Sequence, residues 1–328
     1  MDVVSALKKP EAYSHKADDI SHISTAISDV FLTGEYAYKI CKPVNLGFLN
    51  FTTLKKRKKE IEDGYTHNSL ISPKLYLGVS KVTSDKGKIS IDGKGRVVEY
   101  ALKMKQMNPD SLASNIIKER DLINDEIKGI ARIIADFHSK APCDKKISKY
   151  GSLKTIKLNW KENFSQVREC LGKYLSREDY DFIKEKIIGF IEKNQALFNK
   201  RIADNRIKHC HGDFHTGNVF LDKNKIYVFD SIVFNKRFPC SDIAAEIAFM
   251  LMDLEYHGKE KSAEVFLQEY LRLTKDTEML KLLDFYKCYR AYIRAKVAIF
   301  TLQTKESVEE EEKAKKYFAL SKKYAEKL

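Results

Sequence analysis

Asp213, Asn218 and Asp230 are the residues of this chain whose types and spacing are best suited to chemistry. The first two lie in His211-Gly212-Asp213-Phe214-His215-Thr216-Gly217-Asn218, a glycine-punctuated stretch that cannot be regular helix or strand. Asp230 follows a turn at Asp222-Lys223-Asn224 and the apolar run Ile226-Tyr227-Val228-Phe229. Two carboxylates and one amide gathered by a loop and a hairpin form an all-oxygen set of the kind that holds Mg²⁺. The order Asp, four residues, Asn, with a second Asp leaving the next strand, is also that of a phosphoryl-transfer loop. There the first Asp positions the attacking hydroxyl, and the Asn and later Asp hold metal. The plainer alternative is a Gly-rich turn with Asn218 left-handed and Asp213 an ordinary turn residue. A transition-metal hydrolase built on His211, His215, Asp213 and Asp230 is a third possibility, but the eight histidines are mostly scattered.

The elements that must position these groups lie upstream. Hydrophobic residues Ile23, Ile27, Val30, Phe31 and Leu32 lead to Thr33-Gly34, and Tyr36 to Ile40 resumes the pattern, which predicts a β-hairpin. Gly34 would let backbone approach a phosphate closely. Lys39, flanked by Tyr38 and Ile40 in the second strand, could reach under the hairpin towards the same phosphates; alone it would read as a solvated edge-strand lysine. A helix is predicted from Thr52 to Leu70, capped by Thr52 or Thr53, with the run Lys55-Lys56-Arg57-Lys58-Lys59 on its solvent side. Of the acids that follow, Glu62 is the expected partner of Lys39, because it neighbours Ile61 and Tyr65. Pro73 to Val79 and Lys88 to Met104 read as strands, and Asn108-Pro109-Asp110 ends a small α+β lobe.

From there to His209 the pattern is helical, with long amphipathic stretches over Glu126 to His138 and Tyr180 to Leu197 and Trp160 as a core anchor between them. Pro239-Cys240-Ser241-Asp242 introduces a helix through Leu254, and two or three more helices follow. His138 reads as structural. Glu246, Asp253 and Glu255 suit a helix face better than a pocket for a cationic acceptor.

The net charge of +13 favours anionic ligands and does not choose among nucleotides, phosphorylated metabolites and nucleic acid. The six cysteines lie far apart without metal-ligand spacing, and no apolar leader opens the chain, so a reduced cytoplasm is expected. The most apolar window, Ile243 to Leu251, is short and interrupted by Glu246, which predicts a buried helix and no membrane span.

Taken together these residues resemble the aminoglycoside phosphotransferase-like small-molecule kinases. The signature is carried by His211, Gly212, Asp213 and Asn218, with Asp230 as the later metal-binding acid. More narrowly, the chain is similar to a bacterial and archaeal branch sometimes fused to a P-loop kinase domain. The matching stretches are Thr33-Gly34 with Tyr38-Lys39-Ile40-Cys41-Lys42-Pro43-Val44, Leu75 to Val79, Glu99 to Met104, Phe229 to Asn235 and Ala248 to Leu254. No P-loop motif occurs here, and the hairpin has one glycine where a multi-glycine loop would be expected.

The resemblance implies an α+β, two-lobed protein-kinase-like fold. Residues 1–106 would form a small antiparallel-sheet lobe covering the nucleotide, and residues 107–328 a mainly helical lobe with the catalytic loop and acceptor pocket. ATP would lie between the lobes with its adenine against the segment from Glu99 through Met104 to Met107. Lys39, oriented by Glu62, would contact the α/β-phosphates beneath Gly34. Asn218 and Asp230 would hold Mg²⁺, and Asp213 would align the hydroxyl of a small-molecule acceptor. His211 would fix the loop backbone, and Asp242 would do likewise or cap its helix. No membrane or nucleic-acid partner is implied. The alternative is a catalytically silent kinase-fold module that binds nucleotide or RNA. A protein-kinase reading ranks third, because no Ala-Pro-Glu segment follows Asp230.

Overall fold

The computed structural model describes residues 2–47, 49–223, 225–303 and 306–328, so the turn residue Asn224 lies outside the described residues. The chain divides into two compact units. One runs to Leu112 and also includes Asn218–Lys236; the other comprises Ala113–Gly217 and Arg237–Leu328. The division therefore falls six residues beyond the boundary drawn at 106, and 218–236 builds into the sheet-bearing unit.

In that first unit, β1 (Ser21–Ser24), β2 (Ser28–Leu32), β3 (Tyr36–Cys41), β4 (Tyr76–Asp85), β5 (Lys88–Ile91) and β6 (Arg96–Lys105) form one antiparallel sheet in the order β1-β2-β3-β6-β4-β5. The expected hairpin joins β2 to β3, closed where the Thr33 N–H donates to the Tyr36 carbonyl at 2.9 Å. Successive strand residues point to opposite faces. Tyr38 and Ile40 thus pack with Phe31, Val82 and Leu7, the last from the short helix α1 (Val3–Leu7). Cys41 packs on the other side with Leu102 and Ile61, and Lys39 shares that side.

The second face is covered by α2 (Leu54–Ile71), capped by Thr53, which buries Ile61, Gly64, His67, Asn68 and Ile71 along one stripe. Its basic run is not wholly solvated. Arg57 reaches back to Glu99 at 2.6 Å and to the Phe51 carbonyl at 2.9 Å. A separate hairpin of β8 (Val219–Asp222) and β9 (Lys225–Val228) adds Tyr227 to the same apolar cluster.

The second unit is helical except for a short pair, β7 (Ile207–His209) with β10 (Cys240–Asp242), that brackets the central motif. Its helices are α3 (Ala113–Glu119), α4 (Asn124–Lys140), α5 (Lys145–Ser148), α6 (Leu153–Gln166), α7 (Arg177–Lys193), α8 (Gln195–Ala203), α9 (Ile243–Tyr256), α10 (Glu260–Thr274), α11 (Leu283–Leu302) and α12 (Val308–Ala325). The single helix expected over Tyr180 to Leu197 is two, broken at Asn194, whose side chain donates to the Phe190 carbonyl at 2.9 Å. Trp160 is buried, but it stacks on Phe164 and meets Phe285, Tyr289 and Tyr292 edge-on, so it ties α6 to α11 instead of lying between α4 and α7. Helix α9 is buried at every position from Ile243 to Leu254 and forms the centre of this unit. Among the described residues, no helix is long and apolar enough to cross a membrane.

Candidate active site

In the sheet unit, the β8–β9 register pairs Val219 with Val228, and the Phe229 N–H donates to the Asn218 carbonyl at 3.0 Å. Asn218 and Asp230 therefore leave the open end of the hairpin side by side. Asp230 has φ +64°, a left-handed conformation that a non-glycine residue holds only when its surroundings fix it. They do so at three successive points. The Asp230 N–H donates to the Tyr76 hydroxyl at 2.9 Å and the Ser231 N–H to Asn68 Oδ1 at 2.9 Å. Ser72 Oγ accepts from the Val228 N–H at 3.0 Å and donates to the Val228 carbonyl at 2.7 Å. Asn68 lies in the last turn of α2 and Ser72 caps it, so the helix that packs on the sheet also shapes this turn.

The Asp230 side chain is 53% exposed, and Lys39 Nζ donates to its Oδ1 at 2.5 Å. Burial alone would lower the pKa of the Lys39 ammonium, but the charge and hydrogen bond of Asp230, helped by Cys41 and Glu60, leave it raised. Lys39 is thus fully cationic.

Glu62 does not take part. It is exposed and lies 3.5 Å from Lys58 on its own helix. The acid whose charge acts on Lys39 is Glu60, two residues earlier and on the other side of the helix. Its carboxyl is pushed up to about 7, chiefly by burial and against the attraction of Lys39, with Asp63 and Asp230 raising it further.

The remaining expected nucleotide contacts are already engaged within this unit. Glu99 is buried against Arg57 and accepts from the Tyr100 N–H at 3.0 Å, so it holds the sheet to α2. Met104 is partly buried against the cluster of Cys41, Tyr76 and Tyr227. The Gly34 N–H donates to the Gln106 side chain at 2.8 Å, which occupies the backbone donor expected to face a phosphate.

In the helical unit, the motif loop is held by its backbone. Glu246 Oε2 accepts from the His211 N–H at 3.0 Å and Oε1 from the Gly212 N–H at 2.7 Å. Arg290 Nη1 donates to the Gly212 carbonyl at 3.0 Å. Asp253 Oδ2 accepts from the Thr216 N–H at 2.9 Å and from its hydroxyl at 2.5 Å. The glycines are required. Gly212 has φ +88°, and a Cβ on Gly217 would lie 2.7 Å from the His215 ring.

Asp213 itself is 37% exposed, with His215 Nε2 3.5 Å from its Oδ2. The Gly217 N–H donates to His215 Nδ1 at 3.1 Å, which puts the His215 proton on Nε2, facing Asp213. His211 is fully buried, and its Nδ1 accepts from the Asp213 N–H at 3.3 Å. Burial would raise the Asp213 carboxyl, but His215, Arg294 and His211 hold it well below the usual carboxylate range. It is an anion poised to accept a hydrogen bond.

Asp242 does cap α9, accepting from the Ala244 N–H at 2.9 Å, and it forms a buried two-bond pair with Arg201. The loop-fixing acid is Glu246, one turn further along. Glu246 also takes His138 Nε2 at 2.8 Å, and His138 Nδ1 meets the Tyr270 hydroxyl at 2.8 Å. Burial raises the Glu246 carboxyl, but the bond and charge of His138, the charge of His211 and the Gly212 N–H bring it down to about 2.

Among the described residues, the group close enough for a transition metal is His138, Cys210 and Glu246, all buried. Both Glu246 oxygens and both His138 nitrogens are taken by the bonds above, so this cluster is a closed hydrogen-bonded anchor. Within the helical unit, His211 is buried with its Nδ1 on the Asp213 N–H, so it does not stand beside His215 and Asp213 as the ligand that a hydrolase site would need. For a hard cation the donor chemistry fits elsewhere, at the paired Asn218 and half-exposed Asp230, both oxygen donors with one carboxylate oxygen free of Lys39.

No family model matches the chain. Uncharacterized proteins of Mycobacterium bovis and Mycobacterium tuberculosis are 27% identical over 279 residues, covering 85% of this chain and 54% of each relative. The chain thus spans about half the length of the curated relatives it matches. Among solved structures, a choline/ethanolamine kinase family protein from Mesorhizobium loti superposes with a TM-score of 0.59 at 12% identity, covering 99% of this chain and 95% of that one. Choline kinase from Cryptosporidium parvum gives 0.56 at 13% identity over 94% and 89%. An ADP-bound aminoglycoside phosphotransferase gives 0.51 at 15% identity over 98% of each. The chain has the α+β fold of the aminoglycoside phosphotransferase-like kinases, as the signature residues implied.

Proposed function

We propose that this chain is a Mg–ATP-dependent phosphotransferase that moves the γ-phosphate to a hydroxyl of a small molecule. The observation that carries the reading is the convergence of Lys39, Asp230 and Asn218 at one end of the β8–β9 hairpin. A lysine in a fixed ion pair beside two oxygen ligands suits a polyphosphate and its metal. Asn218 and Asp230 would hold Mg²⁺, which when bound would neutralise charge on the phosphate oxygens.

The chain's own groups do the rest. Lys39 binds phosphate and is kept charged by Asp230. Glu60 stands ready to receive Lys39 when Asp230 turns to metal. Asp213, ionised and fixed through its loop, accepts the hydrogen bond of the acceptor hydroxyl and orients it for attack. The kinases of like fold act on choline, ethanolamine or aminoglycosides by their names, which supports a small acceptor. The free thiols of Cys41, Cys143, Cys170 and Cys288 agree with a reducing compartment such as the cytoplasm.

A second reading, a silent nucleotide- or RNA-binding module, is favoured by one observation, the engagement of the Gly34 N–H by Gln106. ADP release measured over a panel of hydroxylated acceptors tests between them. Mg-dependent turnover with any acceptor supports the phosphotransferase. None, together with RNA binding of steep salt dependence, would leave the silent module.

A further inference from the structure

Two histidines of the helical unit attend Asp213, one at its backbone and one at its side chain. His211 Nδ1 accepts from the Asp213 N–H at 3.3 Å, and His215 Nε2 lies 3.5 Å from Asp213 Oδ2. The His215 ring is itself fixed. Its Nδ1 accepts from the Gly217 N–H at 3.1 Å, so the one proton of the neutral ring sits on Nε2, on the side of the carboxylate. The ring packs against the backbone at Gly217, where a Cβ would lie 2.7 Å from Cε1, and against Phe249, with centroids 5.2 Å apart. Phe249 stands one turn from Glu246 and one turn from Asp253 on the same face of α9. Those two acids hold the loop backbone on either side of His215, so one helix face sets both the path of the loop and the place of the ring.

The plainer account is that His215 only fills space. An apolar ring would do that as well, and what imidazole adds is an N–H directed by the bond at Nδ1. The residue is 8% exposed, so that N–H has little water to turn to, and the Asp213 carboxylate is the acid beside it. At 3.5 Å the pair is longer than a good hydrogen bond, as contacts of this kind often are before substrate binds. The backbone bonds of the loop do not reach the side-chain torsions of Asp213, whose carboxylate is 37% exposed. Aligning a hydroxyl for attack requires those torsions to be held.

We propose that His215 is a positioning residue for phosphotransfer, its Nε2–H holding Oδ2 of Asp213 so that the carboxylate meets the acceptor hydroxyl in one orientation. The inference rests on the phosphotransferase reading. Mg-dependent ADP release is measured for wild type, His215→Asn and His215→Gln with an acceptor that wild type turns over, and the Tm of each protein is recorded with and without Mg–ATP. The two variants divide the functions of the ring. Asparagine keeps an oxygen near the place of Nδ1 for the Gly217 N–H but is too short to reach Asp213, whereas glutamine carries an amide N–H towards Asp213 at the expense of the Gly217 bond.

His215→Asn should lower kcat roughly 10- to 100-fold, the worth of a hydrogen bond to a charged group, with the KM for ATP and the Mg–ATP shift in Tm close to wild type. His215→Gln should recover part of that kcat without melting above His215→Asn. A residue that only packs would give one order for both quantities, so kcat that follows Tm across the pair, or an unchanged kcat in His215→Asn, would overturn the inference and leave the phosphotransferase reading standing. Wild type without turnover of any acceptor would remove the two together. If neither variant folds, the ¹⁵N resonances of the His215 ring in wild type and in Asp213→Asn carry the test. An Nε2–H tautomer whose Nε2 resonance moves in Asp213→Asn supports the contact, and an Nδ1–H tautomer or an unmoved Nε2 resonance overturns it.

Discussion

Lys39 Nζ and Asp230 Oδ1 lie 2.5 Å apart although 191 residues separate them in sequence. The pair holds a lysine on the face of β3 that packs against α2, and an aspartate whose backbone is pinned by Asn68, Ser72 and Tyr76. Asp230 is thus counter-ion to Lys39 and, in the proposed reading, a residue that would hold the metal. Asp230→Asn should remove the Mg-dependent part of the stabilisation given by ATP. For wild type at 100-fold excess over Kd that stabilisation is about 2.7 kcal/mol, readable as a shift in Tm. An equal Mg-dependent shift in the variant would place the metal elsewhere.

The backbone at Asp230 gives a second prediction that does not depend on nucleotide. At φ +64° asparagine is tolerated far better than alanine. Asp230→Ala should therefore be less stable than Asp230→Asn by about 1 kcal/mol, although both lose the Lys39 pair. Urea denaturation of the two variants without ligand checks this, and equal midpoints would mean that the turn relaxes freely.

Asp213→Asn separates binding from chemistry. The amide can still accept a hydrogen bond but carries no charge, and the loop backbone remains held by Glu246, Arg290 and Asp253. The expected outcome is a fall in kcat of about 10²- to 10⁴-fold, with the Mg–ATP shift in Tm retained. A variant with full kcat would show that another group orients the acceptor.

What could be read from the sequence follows the range of the interactions. The hairpin at Thr33-Gly34, the cap at Thr53 and the helix opened by Asp242 are set by neighbours within a few residues, and they appear where local pattern puts them. Asp213, Asn218 and Asp230 stand out because their spacing is itself a motif. Glu62 is singled out in the sequence by its apolar neighbours Ile61 and Tyr65, but which acid faces Lys39 depends instead on how α2 is rotated on the sheet. The stripe Ile61, Gly64, Asn68, Ile71 fixes that rotation and places Glu60, not Glu62, towards Lys39. Glu246 and Asp253 leave a usable trace, one acid inside the most apolar window of the chain and one just beyond it on the same buried helix. Acids in a helix buried all round must be satisfied by something, and here that is the loop.

That buried anchor is directly testable. Glu246→Ala would strand His138 and two backbone N–H groups in a site with no exposure, and should cost about 3–5 kcal/mol. Glu246→Gln should cost less, because its carbonyl oxygen still accepts. The folded Glu246 carboxyl, at about 2, lies below its ordinary 4.5. Its stabilisation is therefore fully present above pH 4.5 and is lost as pH falls towards 2. Acid unfolding of wild type should be steeper than that of Glu246→Gln, and superimposable acid profiles would show that the anchor carries no charge-dependent stability.

Glu60 works in the opposite sense. Its folded carboxyl stands at about 7 against an ordinary 4.5, so the folded protein binds more protons than the unfolded chain between those values. Below pH 4.5 the group is protonated in both states and costs nothing. As pH rises towards 7 the folded state must ionise a buried carboxyl near Asp63 and Asp230, and stability falls by roughly 1–3 kcal/mol. Glu60→Gln should remove that fall, melting above wild type at pH 7.5 and close to it at pH 5, whereas Glu62→Gln, on an exposed pair, should follow wild type throughout. The same variant should lose phosphotransfer if Glu60 receives Lys39 during turnover, so a gain in Tm with a loss of kcat is the expected signature. Unchanged kcat in Glu60→Gln would leave the orientation of Lys39 to Asp230 alone.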